Sequence, residues 1–188
     1  MNRRQRKKNI FVNVRDKTKN KRLIKKYPWL EVKCGCGSKW STTWINGIPR
    51  GWVKRFGKQF CEDMDTELRR SGLINNYTVF QTKEKFGEMR WYDSGGNEET
   101  DNIITKYTHI SHRTCVICGK FPVPVINNGW IQPLCKECFD KHWHRHSIKP
   151  YESFVVDDSE FDPVARYKQL FTNAVIEYDT SDIVRRIS

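Results

Sequence analysis

No apolar run in the 188-residue sequence approaches the length of a membrane span. The N-terminus also lacks the apolar stretch that heads a secretory signal. Both absences predict a chain that works in the cytoplasm. The usual catalytic signatures are missing too: there is no P-loop, nucleophile elbow, HExxH helix or dinucleotide fingerprint. Gly95-Gly96 precedes a helix start, but no Lys-Ser/Thr follows, so it reads as a plain turn. The carboxylates are scattered, with no pairing that spacing alone establishes. The expectation is a protein that is not an enzyme.

Acid is nearly absent from one end. Residues 1–26 carry twelve Lys/Arg against the single acid Asp16, out of a formal net charge of +12 for the whole chain. Arg3, Arg4, Arg6, Lys7, Lys8, Arg15, Lys17, Lys19, Lys21, Arg22, Lys25 and Lys26 make a basic arm, disordered or ordering on binding, suited to phosphate contacts through counterion release. A solubilising tail is the plainer alternative. The other end is acidic: Asp157-Asp158-Ser159-Glu160 forms a linker, and Asp162-Pro163 opens an amphipathic helix through Tyr178.

Cysteine is present in an odd number, seven, which fits a reducing compartment better than secretion. Cys115-Val-Ile-Cys118 and Cys135-Lys-Glu-Cys138 are two CxxC pairs, each offering two thiolates from one tight turn. Val123, Val125, Ile126, Trp130 and Ile131 around Asn127-Asn128-Gly129 predict a short hairpin between them, hence a zinc ribbon holding one structural Zn2+. A disulfide pairing is the rival reading. A closed shell of four thiolates leaves no position for water or substrate, so the metal is expected to fold the chain and not to catalyse. Cys34 and Cys36 form a CxC without a matching pair; a second metal site with Cys61 or a histidine is the alternative to buried, inert thiols. His142, His144 and His146 offer another weak metal site, against solvated histidines or phosphate contacts.

Trp52, Phe56, Phe60, Met64 and Leu68 recur every four residues, joined by Val53 and Cys61, and predict a helix with one core stripe. Tyr77–Thr82 and Glu88–Tyr92 read as strands of a hairpin with Gly87 in a left-handed turn position. Asn97 caps a following helix whose buried side uses Ile103, Ile104, Tyr107 and Ile110. The fold class is therefore α+β: a small hairpin-and-helix core with an integrated four-cysteine ribbon, a basic arm and a C-terminal helix. The expected divisions are 1–26 (arm), 27–112 (core), 113–147 (ribbon) and 148–188 (acidic linker and helix).

The order of several motifs carries a resemblance. Gly51-Trp52, Phe60-Cys61, the run from Gln81 to Tyr92, Ser94-Gly-Gly96, Cys115 to Gly119, Gly129-Trp130 and Leu134-Cys-Lys-Glu-Cys138 follow one another in turn. Over about residues 50–140 the chain resembles a group of small zinc-ribbon proteins encoded by bacteriophages and prophages, mostly without an assigned function. The resemblance implies a phage or bacterial cytoplasmic setting and one integrated unit. It brings no activity with it.

Zinc-stapled HNH nucleases also carry two CxxC pairs, but they need a histidine base in the finger between or just after the pairs. Residues 119–134 contain no His, Asp or Glu. His142, His144 and His146 lie beyond the second knuckle, and His109 and His112 precede the first, so an HNH-like nuclease is the less favoured alternative. The leading expectation is a nucleic-acid-binding protein, with Lys120, Lys136, Lys141 and Arg145 adding charge near the ribbon and Trp130 or Trp143 available for stacking. DNA, RNA or a ribonucleoprotein would be the partner. The competing class is a protein-interaction factor that binds a host machine (RNA polymerase, ribosome or a defence complex) through the ribbon or last helix.

Overall fold

The computed structural model describes residues 17–33, 39–142 and 149–156. Among the described residues, helices combine with three separate antiparallel strand pairs, an α+β architecture. Among the described residues, no helix is long and apolar enough to cross a membrane.

Helix α1 (Lys17–Lys26) opens the described chain and packs on the core through Leu23, with Asn20 buried. Asn46 donates through its amide nitrogen to Asn20 Oδ1 at 3.1 Å. Helical structure therefore covers the ten residues before Tyr27, a stretch that composition assigns to the arm. The reason is local: Asn20, Leu23 and Ile24 form the covered side of the helix and leave Lys17, Thr18, Lys21, Arg22, Lys25 and Lys26 exposed. A helical turn (Pro28–Leu30) then leads into β1 (Glu31–Lys33), which pairs with β2 (Lys39–Thr43).

The stripe at four-residue spacing forms the central helix. Its first turn, α2 (Arg50–Trp52), passes through a π-helical turn (Val53–Gly57) into α3 (Lys58–Arg70). Trp52, Phe56, Phe60, Met64 and Leu68 are all buried, as are Val53 and Cys61. Against this stripe lies the hairpin β3 (Thr78–Lys85) and β4 (Glu88–Ser94), whose inward residues Val79, Met89 and Trp91 complete the core. The packing is aromatic: Trp91 meets Phe60 edge-on at 4.7 Å and Trp29 at 6.3 Å between ring centroids. Trp91 Nε1 donates to the Tyr77 hydroxyl at 3.0 Å, so its one polar atom stays satisfied inside.

Helix α4 (Glu98–His112) begins with a reciprocal cap. The Asn97 side chain accepts from the Thr100 N–H and the Thr100 hydroxyl accepts from the Asn97 N–H. Tyr107 is buried, and Ile103, Ile104 and Ile110 pack at the edge of the core. After it come the hairpin β5 (Val125–Asn127) and β6 (Ile131–Pro133), then α5 (Lys136–His142) and a helical turn (Tyr151–Phe154). These close a second apolar cluster around Val123, Ile126, Leu134, Phe139 and Tyr151. The C-terminal amphipathic helix expected after Asp162 lies outside the described residues, as do Cys34 and Cys36.

Candidate metal centre

The first cysteine pair sits on a turn that leaves the end of α4. Gly119 adopts φ 82°, a backbone region that favours glycine, and its N–H donates to the Cys115 carbonyl at 3.0 Å. That turn carries the Lys120 N–H to within 3.4 Å of Cys118 Sγ. The second pair straddles the start of α5, with the Phe139 N–H donating to the Cys135 carbonyl at 2.9 Å. Two turns of different kinds, one a loop and one a helix start, thus point their thiols at a common centre. The hairpin expected between the pairs is there, with Asn127 paired to Ile131.

All four sulfur atoms lie within 4.8 Å of one another, so Cys115, Cys118, Cys135 and Cys138 could hold a metal ion. Cys118 Sγ and Cys135 Sγ are 3.7 Å apart. A tetrahedral ion with metal–sulfur bonds of about 2.3 Å requires sulfur separations of about 3.8 Å. A disulfide requires about 2.05 Å, and the four thiols are free. Three of the cysteines are buried, and Val123, Ile126, Leu134 and Phe139 form the apolar surround. Burial pushes the Cys135 thiol up to about 11 and Cys138 further still. Burial opposes ionisation of Cys115 as well, but the backbone N–H groups of Cys118, Cys135 and Ile117 outweigh it and bring that thiol down. A cation among the sulfurs would compensate all four thiolates at once.

The module is fastened to the core at two glycines. A Cβ on Gly51 would lie 2.0 Å from the Cys115 carbonyl oxygen, so only glycine fits there. The Gly51 N–H donates to the Val116 carbonyl at 2.8 Å, and the fully buried Trp52 donates through Nε1 to the Thr114 carbonyl at 2.8 Å. Gly51-Trp52 therefore holds the first cysteine turn at both sides of Cys115. The second fastening is Gly87, where a Cβ would lie 3.1 Å from Pro133 Cδ. Beside it Arg90 bonds the buried Glu88 at 2.7 Å, with His112 Nδ1 4.0 Å from the same carboxylate.

Residues 151–156, expected to belong to the linker, add a further layer to the metal module. The Tyr151 hydroxyl donates to the Leu134 carbonyl at 2.6 Å, the Val156 N–H donates to the Val125 carbonyl at 2.9 Å, and Phe139 packs against both Tyr151 and Phe154. No feature of the sequence around Tyr151 announces this role, because its partners Phe139 and Leu134 lie twelve and seventeen residues away.

The expected nucleic-acid contacts fall into three groups. Lys17, Lys21, Arg22, Lys25 and Lys26 are exposed on α1 and Lys19 is half-buried there. Near the metal module, Lys120 pairs with Glu137 at 3.0 Å, Lys136 lies 3.8 Å from Asp140 and 3.6 Å from Glu152, Lys141 is exposed, and Trp130 donates to Glu84 Oε2 at 3.3 Å. Arg3, Arg4, Arg6, Lys7, Lys8, Arg15, Trp143 and Arg145 lie outside the described residues, with His144 and His146. Cys61 is a core thiol, wholly buried and pushed well up by burial.

No protein-family model, curated protein or solved structure matches the chain.

Proposed function

We propose that the chain is a non-catalytic, zinc-stapled protein that binds DNA, RNA or a ribonucleoprotein through its basic arm and metal module. The observation that carries this reading is the charge on α1. Lys17, Lys21 and Lys25 recur every four residues, and on a helix rising 1.5 Å per residue they line up about 6 Å apart. All three are exposed, and the helix beneath them is anchored by Leu23 and Asn20. Cations held in place on a folded surface can each neutralise a phosphate and release its counterions. Six more Lys/Arg precede them in the sequence.

Zinc is the proposed ion because an all-thiolate, four-coordinate shell suits it and disfavours the oxygen-seeking cations. A shell closed by four sulfurs gives it a folding role. The likeness of the motif order to phage-encoded zinc-ribbon proteins supports a bacterial cytoplasmic setting, where thiols stay reduced.

The test is binding to labelled single-stranded and duplex DNA and RNA across a salt series. Full-length protein is compared with a chain beginning at Lys17 and with the triple variant K17E/K21E/K25E. Binding should weaken steeply with salt, and the triple variant should lower the salt slope by about one per lysine. If zinc-loaded, folded protein binds no nucleic acid at low salt, the reading fails. A host-protein contact made through the metal module or the C-terminal segment would then take its place.

A further inference from the structure

Phe86 occupies a backbone position that suits almost any turn residue better than phenylalanine. Lys85 pairs directly with Glu88, so Phe86-Gly87 is a two-residue hairpin loop. Both central residues have positive φ, 55° at Phe86 and 80° at Gly87, as the favoured hairpin turn requires. Asparagine or glycine takes the first of those positions readily, whereas a bulky side chain is an outlier there. Burial offers no compensation, because Phe86 remains 50% exposed. Strain at an exposed aromatic points to a use outside the fold.

A second exposed aromatic is tied to the same spot. Trp130, at the tip of the β5–β6 hairpin, is 62% exposed. One carboxylate connects the two hairpins: Glu84 Oε1 accepts from the Gly87 N–H at 2.7 Å and Glu84 Oε2 accepts from Trp130 Nε1 at 3.3 Å. Glu84 is thereby engaged inside the pair of tips. Lys85 lies over the Phe86 ring at 5.2 Å, and Lys83 lies over Tyr92 at 5.3 Å on the same hairpin. Among the described residues neither lysine has a carboxylate partner. Lys83 donates to Gln81 Oε1 at 2.8 Å, a neutral partner that leaves its charge uncompensated. Exposed aromatics with uncompensated cations on the same hairpin match the chemistry of unstacked bases on a phosphate backbone.

We propose that Phe86 and Trp130 form a stacking platform for the bases of single-stranded nucleic acid, with Lys83 and Lys85 meeting its phosphates. This rests on the nucleic-acid reading and narrows it from any polyanion to unpaired strands.

The experiment uses the full-length, zinc-loaded chain with labelled oligo-dT, oligo-U and a duplex of equal length. The variants are Phe86→Asn, Phe86→Trp, Trp130→Ala and K17E/K21E/K25E. Phe86→Asn installs Asn-Gly, so its melting temperature should be no lower than the parent's. Its single-strand affinity should nevertheless fall roughly tenfold or more, with duplex affinity unchanged. Trp130→Ala should repeat the loss, and Phe86→Trp should retain single-strand binding. If Phe86→Asn and Trp130→Ala keep full single-strand affinity while the α1 variant loses binding, the platform is overturned and the nucleic-acid reading stands. Equal losses on single strand and duplex also overturn it. If the parent protein binds none of the three probes, both proposals fall together.

Discussion

Gly51 shows how one missing side chain can govern a metal site from outside it. The Cys115 carbonyl occupies the space where a Cβ would stand, and that carbonyl belongs to the turn that aims two of the four sulfurs. Gly51→Ala should destabilise the protein by about 1–3 kcal/mol, as overpacking does, and should also weaken metal binding. Thermal melts and a competitive chelator titration read both; an unchanged metal affinity would separate Gly51 from the site. Glu67 is a residue-scale case of a different kind. It accepts two hydrogen bonds from the Arg70 guanidinium, and a third at 2.8 Å from the Asn97 amide that caps α4. Arg70 first, then Asn97, hold its carboxyl below the ordinary value of 4.5. A depressed folded value means stability that is present above 4.5 and lost as the pH falls through the folded value. Glu67→Gln should therefore lower stability most near neutrality and converge with the parent at low pH, which flattens the acid limb of the stability-against-pH curve. A mutant curve parallel to the parent's throughout would refute this.

At the scale of elements, α1 does two jobs with opposite faces. Its inner face supplies Leu23 to the core and Asn20 to Asn46, while its outer face carries the line of lysines. Removing residues 1–16 should leave the melting temperature nearly unchanged. Removing residues 1–26 should cost about 1–2 kcal/mol, less than a fully buried leucine is worth because Leu23 is only half-buried, before any effect on binding is considered. Denaturant titration of the two truncations distinguishes a folded helix from a loose arm. Leu23 and Ile24 are visible in the sequence, but two apolar residues among six cations read as arm. Only the neighbouring Trp44–Gly47 turn, which brings Asn46 to Asn20, reveals the docking side. The β3–β4 and β5–β6 hairpins are legible in the sequence, because turn glycines and alternating aromatics are local signals.

Across the whole described molecule, two apolar clusters meet at the start of the central helix. The larger is built by α3, α4 and the β3–β4 hairpin, the smaller by the metal module and residues 151–156. Val116 packs against both, and Trp52 bonds the Thr114 carbonyl across the boundary. In isolated zinc fingers, metal binding supplies on the order of 10 kcal/mol of folding free energy. Chelation, or Cys138→Ser, should therefore melt α5 and the β5–β6 hairpin and lower the melting temperature of the rest. Circular dichroism and metal analysis would check this, with one ion per chain in the intact protein. An unchanged spectrum after metal removal would mean that the apolar cluster holds the module by itself.

Patterns that repeat over short distances were enough to expect the core stripe, the Asn97 cap, the hairpins and the four-sulfur set. Helical spacing, turn chemistry and CxxC spacing are properties of adjacent residues, so the chain states them directly. Tertiary structure decided what depends on approach between distant segments. Gly51 against Cys115, Glu84 between two hairpin tips, Tyr151 on Leu134 and α1 on the core all join residues that carry no mark of one another. A glycine required by a carbonyl over sixty positions away looks the same in sequence as a glycine in any turn. Space-filling contacts leave no local spacing, and only the fold brings them into view.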